Sequence, residues 1–558
     1  MIKNKSSIRR TKMKRKVLEK MFASALVCAM ALSLASCGDS ADGNTAGGTS
    51  SEQASEGTVS SGSDSGTASG GNEERQTISI SALDYNAGLN NVGEYADDII
   101  DKIQEYIGVN LEITWVASDA LAEKNALYMA NPATMPQVIT WGGTLGGEVA
   151  AAAKNGAFVD LNDYIWDSEK YPNLSGMAKS VASNLTVEGK LIGIPRTRVI
   201  GRYGLSYRTD WFEKLKEEYH LVEPSTPEAV YDMLYAFTYG DPDGNGIDDT
   251  IGMEMTSLTD PFDIIQTWFG CGNGWAEVDG QLLPVFMQEE YKEAVDYIKK
   301  LYDDGLMPVD WISRPQDDRG QGCRRGDNGA LIDTLDDGKR IWYYFVAEET
   351  FTPSVVNPEE AASMTLYGAV NGHTLATAGY NGFFTLSTTT LNTPEKIEAA
   401  LTLLDKLNDP EMLILTQYGL EDINYKMEDG YLVDLDVNDG NLYNNYAGLN
   451  QLLAFLPSSE AATAAIPLYL NERDMAQNDA YAAALPYAVS NPALPYLVGS
   501  ETYASEGATL DANISAARSQ YICGEIDMEG LEKAISEWRR LGGDKIIEEV
   551  NAQYQANQ

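Results

Sequence analysis

Histidine is nearly absent from this chain, which carries only His220 and His373, and its cysteines number five. Positive charge is also in deficit, with 40 Lys and Arg against 83 Asp and Glu. Each shortage closes off a class of function. The sequence contains no HExxH, GxSxG or phosphate-loop motif, so no zinc, serine or nucleotide hydrolase signature is present. A net charge of −43 sets the body of the chain against nucleic acid and anionic surfaces, because both require a basic face. The cysteines show no CxxC spacing, which argues against a zinc site or a disulfide framework. Beyond residue 37 no apolar run is long enough to span a bilayer.

What is present begins with an address. Nine basic residues lie between Lys3 and Lys20, followed by an apolar run from Met21 to Leu34 and then Leu34-Ala35-Ser36-Cys37-Gly38. A basic segment, a short apolar segment and small residues before a cysteine form a bacterial lipoprotein signal. Residues 1–36 are therefore predicted to be removed and Cys37 to be lipidated, which places the protein on the outer face of a cytoplasmic membrane of Gram-positive type. Residues 37–75 are almost wholly small and polar. Such a segment cannot bury enough surface to offset its ordering entropy, so it reads as a disordered tether with a reach of about 30–40 Å. Once the signal is removed, Cys271, Cys323 and Cys523 remain besides Cys37. They are expected as free, buried thiols, with a Cys271–Cys323 bridge as the alternative.

The rest is too long for one core and suggests two lobes. Thr77–Ala82 reads as a strand, Glu94–Tyr106 as a helix and Val109–Trp115 as a strand. Asp119–Ala130 reads as a helix and Gln137–Thr140 as a short buried strand. Strand-helix-strand order implies a parallel sheet flanked by helices. Further helices are predicted over Tyr291–Asp304, over Pro394–Leu407 behind a Thr393 cap, and through most of Leu531–Gln555.

The stretch from Gly201 to Gly252 carries the most specific local chemistry. Thr226 can cap a helix with Pro227 at its first position, and Val230, Leu234 and Phe237 fall on one face. The helix runs into a loop in which Asp241, Asp243 and Asn245 alternate, Gly246 follows and Asp249 closes the set. Alternating acidic and amide oxygens around a glycine turn suit a hard cation, with Ile247 contributing its backbone carbonyl. The twelfth position is Gly252 rather than glutamate, so this is not a complete EF-hand. The expectation is a structural calcium site at Asp241, Asp243, Asn245, Ile247 and Asp249. A glycine-rich turn without an ion is the alternative.

Several phrases, taken in order, resemble one family. They are Met135-Pro-Gln-Val-Ile139, Asn155-Gly-Ala-Phe-Val-Asp-Leu161, Tyr171-Pro-Asn173 and Glu188-Gly-Lys-Leu-Ile-Gly-Ile-Pro195. Tyr207-Arg-Thr-Asp-Trp211, the Asp241–Thr250 loop, Leu301-Tyr-Asp-Asp-Gly-Leu306, Tyr418-Gly-Leu420 and Gly542-Gly-Asp-Lys-Ile-Ile-Glu548 follow. With the signal and the tether, they resemble the extracellular solute-binding lipoproteins of bacterial ABC importers, in the large LplA-like branch associated with carbohydrate uptake. The resemblance implies an α/β, two-lobed periplasmic-binding-protein-like fold with a hinge and an interlobe cleft. The N-terminal lobe is placed at 76–200 and about 380–430, and the C-terminal lobe at 201–379 and about 431–558. It also implies delivery of solute to permease subunits by a monomer. Related alginate-binding proteins carry a calcium loop matching the one above, although Thr250 stands where an acidic residue is frequent.

A sugar site stacks rings on aromatics and rims them with polar side chains, on loops that follow strands. The candidates are Trp141 before Gly142-Gly143, Arg202 and Tyr203 between Gly201 and Gly204, and Trp268 and Trp275 flanking a glycine-rich loop. Asp336 and Trp342 are further candidates, with Asp337, Tyr343 and Tyr344 beside them. Core packing is the competing role for the aromatics. Arg208 and Asp210 read as a local pair. The predicted function is capture of a solute, an oligosaccharide by preference, and not catalysis. A peptide or other small organic solute is the alternative, and a surface glycosidase built on two opposed carboxylates is a more distant one.

Overall fold

The computed structural model describes residues 75–435, 440–454 and 466–556. The signal, Cys37 and the tether up to residue 74 lie outside the described residues. Alternating apolar side chains over Thr77–Asp84 make strand β1, with Ile78 and Ile80 buried. Helix α1 (Ala96–Ile107) buries Ile99, Ile103 and Ile107 at one-turn spacing. Strand β2 (Asn110–Ala117) then runs parallel to β1, in register from Thr77 opposite Asn110 to Asp84 opposite Ala117. Helix α2 (Leu121–Ala130) leads into β3 (Val138–Trp141), buried throughout, and β4 (Ile194–Thr197) ends this passage.

The chain then enters a second body through β5 (Tyr203–Arg208), α3 (Thr209–Tyr219) and α4 (Pro227–Tyr239). Thr226 caps α4, its hydroxyl accepting from Ala229 N at 3.3 Å, and Val230, Leu234 and Phe237 are fully buried as their spacing requires. Strand β6 (Ile251–Met253), α5 (Asp260–Thr267), α6 (Glu290–Asp303), β7 (Asn328–Thr334), α7 (Leu335–Val346) and β8 (Met364–Tyr367) complete it. The chain returns to the first body as β9 (Tyr380–Leu386) and α8 (Pro394–Lys406). It ends in α9 (Glu472–Ala484), α10 (Ala508–Cys523), α11 (Met528–Trp538) and α12 (Asp544–Ala556).

Two sheets result, in the orders β2-β1-β3-β9-β4 and β8-β5-β7-β6. Each has its own core. Ile78, Ile139, Phe384 and Leu401 meet in the first. Leu205, Trp211, Phe237, Met253 and Ile332 meet in the second. The fold is thus α/β and two-lobed. Neither sheet is purely parallel, because β9 runs antiparallel to β3 and β4, and β7 antiparallel to β5. In both lobes a strand arriving from the opposite direction is inserted beside the βαβ units, which local periodicity cannot reveal.

Two crossing segments bind each other between the lobes. Arg198 N donates to Gly379 O at 2.9 Å, Thr377 N to Ile200 O at 3.0 Å, and Thr374 Oγ1 to Tyr203 O at 2.9 Å. One boundary differs from expectation. Tyr446, Leu449, Leu452 and Leu453 pack in the first core, so the segment 446–454 belongs with the first lobe rather than the second, where the expectation placed it. The sequence there is a short apolar run with no periodicity to assign it to either lobe.

Candidate functional site

In α/β sheets ligands sit beyond the carboxyl ends of the strands. Here those ends meet a polar seam at the crossing segments. Arg202 Nε donates to Asp336 Oδ2 at 2.7 Å, joining the entry to β5 with the first turn of α7. Burial opposes the charge on Arg202, but the hydrogen bond and charge of Asp336 outweigh it and hold the guanidinium above its ordinary value. Burial likewise works against ionised Asp336, and Arg202 with the Tyr481 hydroxyl overcomes it, so its carboxyl titrates below the usual range. Tyr481, on α9, is raised in turn by burial and by Asp336.

Next to this pair Tyr203 is pushed up to about 12 by burial and then by Asp260 and Asp333. Asp333 is the penultimate residue of the buried strand β7. Its Oδ1 accepts from Thr334 N at 2.6 Å, and its Oδ2 lies 3.4 Å from Arg319 Nε, inside ion-pair range but without hydrogen-bond geometry. Burial raises its carboxyl to about 6. From the first lobe, Arg196 donates to Gln451 Oε1 at 2.8 Å, and burial followed by the Arg198 charge lowers it to about 10. Arg198 is lowered by burial and then by Arg202. Tyr85, directly after β1, acts on both arginine charges. The seam therefore carries guanidinium and phenol groups from both lobes and carboxyl groups from the second. Such an arrangement offers donors and acceptors to a polyhydroxylated solute; the crossing segments that connect its two sides make a hinge.

Of the sequence candidates, Arg202, Tyr203 and Asp336 come together here. The tryptophans do not. Trp141 is 5% exposed, its Nε1 donates to Thr385 Oγ1 at 2.8 Å and its ring stacks on Phe383 at 6.2 Å. Trp268 is buried in the second core. Trp275 packs with Leu510, Trp538 and Ile546 beneath the C-terminal helices. Trp342 packs with Cys323, Ile341 and Phe345. In this structure all four are packed in cores rather than open at the seam, although Trp342 also lines a cavity with Thr209, Met364 and Ala480. The nearby glycines serve the backbone instead: a Cβ on Gly272 would lie 2.4 Å from Trp275 O, while Gly143 and Gly270 take left-handed φ values of 66° and 88°. Tyr343 is held by Asp474 at 3.0 Å. Arg208 and Asp210 form a buried bidentate pair, at 2.8 Å for both bonds, as expected.

Tyr85, Arg196, Arg198, Asp260, Arg319, Asp333 and Tyr481 were not among the sequence candidates. Tyr85 lies three residues beyond the predicted strand Thr77–Ala82 and directly follows the observed one, so only the longer strand brings it under the rule that favoured Trp141. The others depend on which strands become neighbours. Cys271, Cys323 and Cys523 are free thiols. Burial pushes Cys271 up to about 12, so it is unreactive.

The Asp241–Thr250 loop lies apart from the seam, between α4 and β6. Asp241 has φ 52° and Gly246 φ 75°, the left-handed backbone a glycine supplies most easily. The Asp241 carboxylate accepts from Gly246 N at 3.2 and 3.1 Å, and Asn245 Oδ1 accepts from Ile247 N at 2.7 Å. Asn245 Nδ2 donates to Asp243 Oδ2 at 2.7 Å and to Asp249 Oδ1 at 3.3 Å. A positively polarised group thus stands between two carboxylates. Burial raises the Asp243 carboxyl, and Asp249 and Asp241 add to the rise. The donor chemistry suits a hard cation, although among the described residues no three acidic, His or Cys side chains are already grouped to hold one. Thr250 and Gly252 are used otherwise. Thr250 Oγ1 donates to Phe237 O at 2.9 Å, and a Cβ on Gly252 would lie 2.4 Å from Leu234 O. Both positions seat the loop on α4.

Two lobes, a hinge and a polar seam between them define a solute-binding clamp. Residues 98–425 match the family described as bacterial extracellular solute-binding protein, and the chain belongs to that family. It is 31% identical over 464 residues to Lipoprotein LipO of Bacillus subtilis (strain 168), across 82% of this chain and 88% of that one. It is 27% identical over 456 residues to the polygalacturonan/rhamnogalacturonan-binding protein YtcQ of the same organism, across 81% and 87%. A solved structure of the S. pneumoniae ABC-transporter substrate-binding protein FusA, an EF-hand mutant in complex with fructo-nystose, superposes with a TM-score of 0.59 at 17% identity. It covers 87% of this chain and 100% of that one.

Proposed function

We propose that this protein captures an oligosaccharide at the seam around Arg202, Asp336, Tyr481, Arg198 and Tyr85, and delivers it to the permease subunits of an ABC importer. The carrying observation is that charged and phenolic groups of both lobes converge on the two crossing segments. A solute bound there would satisfy both sides only when the clamp is shut, so its binding energy would favour closure. The relatives named for polygalacturonan, rhamnogalacturonan and fructo-nystose support a sugar over a peptide. The lipoprotein signal and the relative named Lipoprotein LipO support anchoring through Cys37 outside the membrane. The oxygen-rich side chains of Asp241, Asp243, Asn245 and Asp249, with the Ile247 carbonyl in the same loop, support a structural calcium ion, as does the EF-hand of FusA.

The test is thermal unfolding with a panel of oligogalacturonides, rhamnogalacturonan fragments, fructo-oligosaccharides and short peptides. A saturable rise in Tm with one glycan class, leaving the glycan intact, is the expected result. A rise with peptides alone would replace the sugar reading. Shortened glycan products would replace binding with hydrolysis.

A further inference from the structure

We propose that Tyr85 is the first lobe's stacking platform for the bound solute at the seam; this rests on the sugar-binding reading above. Among the aromatic side chains at the carboxyl ends of the first sheet's central strands, Trp141 is buried and Tyr85 is 62% exposed. Exposure alone would mean little. What distinguishes Tyr85 is the rigidity of its support. Asp84, the last residue of β1, accepts from Asn86 N at 2.8 Å and Asn90 Nδ2 at 2.9 Å through one oxygen, and from Gly88 N at 2.8 Å through the other. The loop is then tied to the segment after residue 440. Asn91 N donates to Ala447 O at 3.0 Å, Val92 N to Asn444 O at 3.0 Å and Tyr95 N to Asn445 Oδ1 at 3.0 Å.

Two glycines make that contact close. A Cβ on Gly93 would lie 2.0 Å from Asn445 Oδ1, and one on Gly448 2.5 Å from Asn90. The same segment carries Gln451, which accepts from Arg196. The loop, the 444–451 segment and the arginine-bearing strand β4 thus form one continuous surface with Tyr85 standing out of it. An aromatic ring carried on a backbone fixed before binding presents a flat apolar face to a sugar's C–H face without the cost of ordering its loop.

The experiment uses the full mature chain. A glycan array identifies the glycan bound by wild type, and calorimetry measures its Kd for wild type, Tyr85→Phe, Tyr85→Leu and Tyr85→Ala, with Tm recorded for each. Tyr85→Ala and Tyr85→Leu are expected to weaken binding roughly ten- to hundredfold with Tm unchanged, and Tyr85→Phe to stay within about threefold. Wild-type Kd in Tyr85→Ala overturns the platform while leaving the sugar reading intact. A parallel loss in Tyr85→Phe also overturns it, because the hydroxyl and not the ring would then be the contact. Failure of wild type to bind any glycan overturns the sugar reading itself.

Discussion

Asp333 shows how one residue on the floor of the seam couples stability to pH. It lies next to the end of a fully buried strand, faces Arg319, Asp337, Asp260 and the Thr334 N–H, and has its carboxyl raised to about 6, first by burial. In an unfolded chain the same group titrates near 4. Between those values the folded state holds a proton that the unfolded state has released. The native state is therefore favoured as pH falls through 6, and above 6 the ionised group costs on the order of 2–3 kcal/mol. Asp333→Asn should raise Tm at pH 7.5, and the gain should vanish by about pH 4. A lower Tm at pH 7.5 would show that the Arg319 ion pair outweighs burial. Residue types and spacing alone did not mark Asp333, because its burial comes from the strands on either side. For the same reason Trp141, Trp268 and Trp275 read as plausible sugar contacts and proved to be core. A tryptophan after a strand looks the same in sequence whether Phe383 or solvent covers it.

At the scale of the element, the α4–loop–β6 unit was the most legible part of the chain. The Thr226 cap, the buried face of Val230, Leu234 and Phe237, and the left-handed Gly246 all follow from contacts within about 25 residues. The loop's carboxylates crowd around the Asn245 amide, so a cation bound only by the folded state should stabilise it. Chelation is expected to lower the Tm of wild type, and Asp243→Ala to remove that sensitivity. A wild type indifferent to chelator and to added calcium would show that the Asn245 amide alone holds the turn.

At the scale of the whole molecule, the two sheets depend on long-range returns: β9 inserts between β3 and β4, and residues 440–454 rejoin the first core. A lipid on Cys37, as proposed, would hold the acidic body near a membrane. Changing Cys37→Ser should release the protein into the medium while leaving its Tm and glycan affinity unaltered, measured by fractionation and by titration of the secreted form. Full membrane retention of that variant would refute the anchor.

The sequence by itself determined the absence of hydrolase motifs, the α/β alternation and the oxygen-rich loop, and it carries the motif on which the proposed lipid anchor rests. Each of these is written in residues that are neighbours along the chain, where periodicity, capping and turn chemistry act. Only the tertiary structure decided which aromatics are buried, that Arg202 meets Asp336 over a separation of 134 residues, and that Tyr85 stands exposed on a braced loop. Burial and electrostatic environment are set by what the rest of the chain brings alongside, and no local pattern encodes that.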